Sequence, residues 1–130
     1  MSEPTWKRIL EDLKEQRLDE RQLERIARRV DLARGGDGGL ERELIAEMAR
    51  SLGRVTRRLT DALARLDDLG RAIDAAPDPA ARAALVADFN RRRAEAARAR
   101  WELLVQREAL GLRRHDDVDA HYPLPPPRRA

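Results

Sequence analysis

Between Ile45 and Ile73 the residues Ile45, Met48, Leu52, Val55, Leu59, Ala62, Leu66, Leu69 and Ile73 follow one another at alternating separations of three and four. This is an unbroken heptad seam, with Ile45, Leu52, Leu59, Leu66 and Ile73 at the a positions, and it predicts one helix over about 40–74. At 1.5 Å per residue that helix runs about 50 Å, and its seam needs a partner helix along the whole of it. Ala75-Ala76-Pro77-Asp78-Pro79 breaks the helix, and Asp78 as N-cap with Pro79 in the first helical position starts another, predicted over 79–112. So short a connection makes the two arms antiparallel neighbours. The second arm is apolar over a wider surface. Leu85, Phe89, Ala96, Ala99, Leu103 and Leu110 form one stripe, and Val86, Ala97, Trp101 and Leu104 form a flanking one. One stripe meets the heptad seam; the other is left for the N-terminal helices or for another subunit.

Ahead of the hairpin the apolar pattern changes phase. Trp6, Ile9, Leu10 and Leu13 share one helical face, whereas Leu23, Ile26, Ala27 and Val30 share another, rotated from it. Between them, Leu18-Asp19-Glu20-Arg21-Gln22-Leu23 fits an N-cap at Asp19, a capping-box partner at Gln22 and a hydrophobic staple from Leu18 to Leu23. The prediction is two helices, about 5–17 and 20–34, with a single kinked helix as the alternative. The run 35–39, with four Gly around Asp37, is a linker; it follows no strand and lacks the spacing of a phosphate loop. Gly111 marks the end of the second arm. Four of the last eight residues are Pro, so 113–130 is read as an extended or disordered tail outside a domain covering 1–112. The expected fold is all-α: a long antiparallel hairpin with coiled-coil packing, N-terminal helices folded on it as a three- or four-helix bundle, and a Pro-rich extended tail.

Composition narrows the function classes. Of the 42% hydrophobic residues, 21 are Ala, and the remainder, 33 of 130, supply only a thin core. A thin core favours self-association, with a homodimer as the expected state. Trp6, Phe89, Trp101 and Tyr122 are the only aromatics, too few for an aromatic cage or a base-stacking sheet. The absence of Cys excludes disulfides, thiolate zinc sites and thiol nucleophiles. No apolar run approaches a membrane span and no signal-peptide pattern opens the chain, so a cytoplasmic protein without membrane partners is expected. The pI of about 10.1 reflects 25 Arg among 27 cations, while the formal net charge is only +3. Interleaved signs of this kind read as solvated helix faces laced with i,i+4 pairs.

Four constellations of polar and Pro-rich residues bear on chemistry. His115, Asp116, Asp117, Asp119 and His121 fall within seven residues, yet match no HExxH, Glu-x-x-His or calcium-loop spacing, so neither a metal nor a cofactor is expected. The heptad seam carries no Arg, Lys or Glu, and Arg92 or Gln106 are the polar residues of the second arm placed to turn inward; no enzyme and no small-molecule substrate are expected. Arg stripes at Arg21, Arg25, Arg28 and Arg29, at Arg50, Arg54, Arg57, Arg58 and Arg65, and at Arg91-Arg92-Arg93 could follow a phosphate backbone, the first being the candidate nucleic-acid surface. Pro123-Leu124-Pro125-Pro126-Pro127-Arg128 matches a PxxPxR ligand, or packs back on the bundle as a strap. The leading expectation is a non-catalytic structural or adaptor module, assembling with itself or a larger protein. Its interface is placed on Val86, Ala97, Trp101 and Leu104, with Trp6, Pro123, Pro126 and Arg128 as secondary anchors.

Overall fold

The computed structural model describes Gln16, residues 18–34 and residues 39–130. The helix expected over 5–17, and Trp6 with it, lies outside the described residues, as does most of the Gly-rich linker. Four helices follow: α1 (Glu20–Arg34), α2 (Gly39–Asp74), α3 (Pro79–Ala109) and α4 (Asp116–His121). No strand occurs among the described residues, and α2 and α3 pack side by side as the predicted hairpin.

Local chemistry accounts for where these helices begin and end. The Asp19 carboxylate accepts from the Gln22 N–H at 2.9 Å while the Gln22 side-chain oxygen accepts from the Asp19 N–H at 2.9 Å, which is the capping box read from the sequence. It starts α1 at Glu20 and separates it from whatever precedes Leu18. Asp78 caps α3, its Oδ1 accepting from the Ala81 N–H at 2.8 Å, with Pro79 in the first turn. At the other end of α3, the Gly111 N–H donates to the Glu108 carbonyl and the Leu112 N–H to the Arg107 carbonyl, both at 2.9 Å. This is a Schellman closure, and it needs a left-handed residue, which Gly111 supplies at φ 91°. The arm therefore stops at Ala109, three residues short of the expected boundary.

The five a positions of the seam are all buried, between 0 and 3% exposed. Two core clusters result. Toward the hairpin tip, Leu66 and Ile73 of α2 meet Val86, Phe89 and Ala96 of α3. Toward the open end, Ile45, Leu52, Val55 and Leu59 meet Ala99, Leu103 and Leu110, joined by Ile26 of α1 and by Val118 and Tyr122 of the C-terminal segment. Beside the seam, the small residues Ala46 and Ala49 are also buried, on the α2 flank that lets α1 and the C-terminal segment approach.

The tail departs from expectation. Residues 116–121 are helical, and only 122–130 are extended. Asp116, Asp117 and Asp119 sit in the first turn of α4, where carboxylates favour the positive end of the helix dipole. Val118, 1% exposed, anchors that turn in the core.

Candidate functional site

The C-terminal segment returns along the hairpin, and the second arm supplies hydrogen bonds to its backbone. Extended Pro-rich chain makes no internal hydrogen bonds, so its carbonyls need outside donors. Arg100 Nε donates to the Tyr122 carbonyl at 3.4 Å, Arg93 Nε to Pro125 at 2.7 Å and Arg82 Nη1 to Arg129 at 3.0 Å. Asn90 makes a reciprocal pair with the backbone of Arg128, accepting its N–H and donating to its carbonyl, both at 2.9 Å. As the strap advances from 122 to 129 its partners fall back from 100 to 82, so it runs antiparallel to α3 and parallel to α2. Leu124 packs on the tip cluster, and the Arg128 guanidinium sits 5.6 Å above the Phe89 ring and 3.3 Å from Asp74. Pro123, Pro126 and Arg128 thus belong to an intramolecular strap, and the PxxPxR segment is laid against its own hairpin.

At the elbow between α3 and α4 sits a polar node. Arg107 is only 3% exposed and one of its terminal nitrogens reaches both carboxylate oxygens of Asp117, at 2.8 and 3.0 Å. The same nitrogen donates to the Arg114 carbonyl at 3.2 Å, and Gln22 of α1 donates to Asp117 at 3.0 Å. Partial burial by itself would push the Asp117 carboxyl up; the Gln22 hydrogen bond, and the charge and hydrogen bonds of Arg107, outweigh it and hold the group below the ordinary carboxylate range. The node ties α1, α3 and α4 together. Sequence reasoning looked to Arg92 and Gln106 for inward polar groups and missed Arg107. Arg92 is half-buried and pairs with Asp88, and Gln106 keeps a buried oxygen without a partner. The signal for Arg107 was its place four residues beyond Leu103 and three before Leu110, inside the core stripe.

The acidic and histidine cluster disperses on folding. Asp117 is committed to Arg107, Asp119 to Arg100, His115 Nε2 lies 3.2 Å from Glu108, and His121 Nδ1 lies 2.9 Å from the Asp117 carbonyl. No group of three metal-ligating side chains converges among the described residues.

The flanking stripe of α3 is divided. Val86 is 4% exposed and belongs to the tip cluster, which corrects its expected place on an exposed surface; Leu104 is half-buried against the open-end cluster. Both lie on the flank that the returning C-terminal segment covers, a consequence of tertiary packing that periodicity alone does not reveal. Ala97 is half-buried, and Trp101, further round the helix, stays 64% exposed. Val105, one turn beyond it and 44% exposed, extends the same apolar face and was not singled out from the sequence.

The Arg stripes also separate. Arg50 and Arg54 both reach Glu47, whose carboxyl their hydrogen bonds and charges hold below its ordinary value, and Arg58 reaches Glu102 at 2.6 Å. Arg91 and Arg92 both pair with Asp88, while Arg93 serves the strap. Arg21, Arg25, Arg28 and Arg29 are exposed and form no ion pair among the described residues.

The fold and these contacts define a class: an all-α helical hairpin whose C-terminal segment folds back as a strap along both arms. Residues 23–129, which include every element of that architecture beyond the first turn of α1, match the family model described as a family of unknown function, DUF6665. The chain belongs to that family. No curated protein matches it, and no solved structure does. No helix among the described residues is long and apolar enough to cross a membrane.

Proposed function

We propose that this chain is a non-catalytic helical assembly module that pairs with a second copy of itself through the outer face of α3. The observation that carries the reading is Trp101, 64% exposed, with Val105 on the next turn at 44%. Of the aromatic residues described, Phe89 and Tyr122 are buried, so the remaining large ring stands on the surface. A ring of that size beside an aliphatic neighbour is the kind of anchor that concentrates binding energy at interfaces. Ala97, four residues before Trp101, supplies the low relief that lets a second helix come close. The seam on the opposite side of the hairpin is buried along its length, so the face is carried by a packed helix. Partner and self-association through the strap are set aside, because its backbone groups are already engaged with α3.

Light scattering on the purified chain tests this. The wild type is expected above the 14.8 kDa mass of one chain, and Trp101→Ala and Val105→Glu each at that mass with helicity unchanged. Val105 is the better site for a charge than Leu104, which leans on the core. A wild type that stays at the single-chain mass at high concentration, or variants that assemble as it does, would remove this face as the interface.

A further inference from the structure

Folding gathers Arg residues from two distant segments into one cleft. Arg21, Arg25 and Arg28 stand at i, i+4 and i+7 on α1, a row about 10 Å long. Arg29 lies beside them, its Nη1 3.8 Å from where a Cβ would stand on Gly111, so the row abuts the Schellman elbow. Just past that elbow the chain places Arg113 and Arg114, both exposed. With Asp19, Gln22, Glu24 and Leu112 these residues line an open cleft of about 460 Å³ holding five guanidinium groups against two carboxylates.

Two of the carboxylates at this elbow already have partners. The Asp19 carboxylate caps α1, and Asp117 is neutralised by Arg107. On the hairpin faces Arg50, Arg54, Arg58, Arg71, Arg91 and Arg92 pair with Glu47, Asp67, Asp68, Asp88 and Glu102, while Arg57, Arg65 and Arg98 are exposed and form no ion pair among the described residues. The cleft's five likewise form no ion pair among the described residues, and what sets them apart is that packing gathers them along one lining. Guanidinium is the planar donor that matches phosphate oxygens two at a time. The cleft is open and its row is long, which suits a continuous backbone better than one enclosed anion. Phe89, Trp101 and Tyr122 lie outside its lining, so no stacking platform for single-stranded bases is present among the described residues.

We propose that this elbow binds the phosphate backbone of double-stranded nucleic acid without reading sequence. The site goes beyond the assembly role and is independent of it. The test is fluorescence anisotropy with labelled 20-base-pair DNA and RNA duplexes, titrated with the full chain between 50 and 200 mM salt. With about five phosphates neutralised, log K should fall with log salt at a slope of about −4.5, close to a 500-fold loss across that range. Arg25→Gln with Arg28→Gln, and separately Arg113→Gln with Arg114→Gln, should each lower the slope by about 2 and weaken binding at least tenfold at 50 mM. Arg50→Gln with Arg54→Gln, which removes paired charges on α2, should leave both unchanged. The two elbow pairs sit on different elements, and unchanged circular dichroism certifies either one. Absence of binding to both duplexes at 50 mM overturns the proposal, as does equal loss in the α2 control, which would make the attraction diffuse. Binding to phosphatidylserine vesicles with neither duplex bound assigns the cleft to a lipid surface and overturns it as well.

Discussion

Replacing Asp117 with Ala tests whether the elbow is locked by a buried ion pair. The substitution strands Arg107, whose side chain is 4% exposed, and leaves the Gln22 amide without its acceptor. Breaking a fully buried pair by removing one partner costs about 3–5 kcal/mol, much of it from the charge left uncompensated. The Asp117 side chain is 25% exposed, so water can reach part of the vacated position, and the Arg114 carbonyl remains as one acceptor. A loss of about 2–3 kcal/mol is therefore expected, which in urea is a midpoint shift of about 1–2 M for ordinary slopes. In an Arg107→Met background the same Asp117→Ala change should cost under about 1 kcal/mol, because no buried cation remains to be stranded. The pH dependence follows from the direction of the Asp117 shift. Its folded-state pKa lies below the unfolded value, so its stabilisation is fully present above the unfolded pKa of about 3.9 and disappears as pH falls through the lower folded value. Asp117→Asn should flatten that acid limb. Equilibrium urea unfolding read by circular dichroism measures all of this. A loss under 0.5 kcal/mol, or the same loss with Met at 107, would refute the lock.

Three further outcomes are expected. Gly111→Ala puts a side chain at φ 91°, and at about 1–2 kcal/mol for a left-handed L-residue its thermal midpoint should drop by several degrees. Gly53→Ala should raise that midpoint, because Ala is better than Gly in a helix interior by about 0.8–1 kcal/mol and the added Cβ would stand 3.4 Å from Gln16 Nε2, no closer than van der Waals contact. Asn90→Ala removes both hydrogen bonds to the Arg128 backbone, about 0.5–1.5 kcal/mol each; trypsin should then cut at Arg128 faster than in the wild type and the thermal midpoint should drop by several degrees, as mass spectrometry and a thermal scan would show. Equal cleavage rates would mean that the strap is held by Leu124 and Arg128 rather than by Asn90.

The heptad seam, the Asp78-Pro79 start, the Asp19–Gln22 capping box and the Gly111 stop were all legible in the chain, because each is a local arrangement within a few residues or a period repeated along one element. Periodicity placed Leu104 and Val86 on a flank of α3 correctly but could not say what covers it, since the cover is a segment 14 or more residues further on. The tail was legible as extended only from Tyr122 onward. Its helical turn at 116–121 depends on Val118 finding the core and Asp117 finding Arg107, neither of which propensity records.

The sequence by itself determined α1, α2 and α3, their order and the antiparallel pairing of the long arms, since backbone capping and a seam that must be buried admit few other solutions. Tertiary structure decided which charges remain free. Arg58 finds Glu102 and Arg82 finds the Arg129 carbonyl across more than forty residues, whereas Arg21, Arg25 and Arg28 meet Arg113 and Arg114 in one cleft. A cation's neighbours are set by packing and not by its position in the chain, so the same Arg composition becomes a surface of mostly paired charges on the hairpin and a concentrated positive one at the elbow.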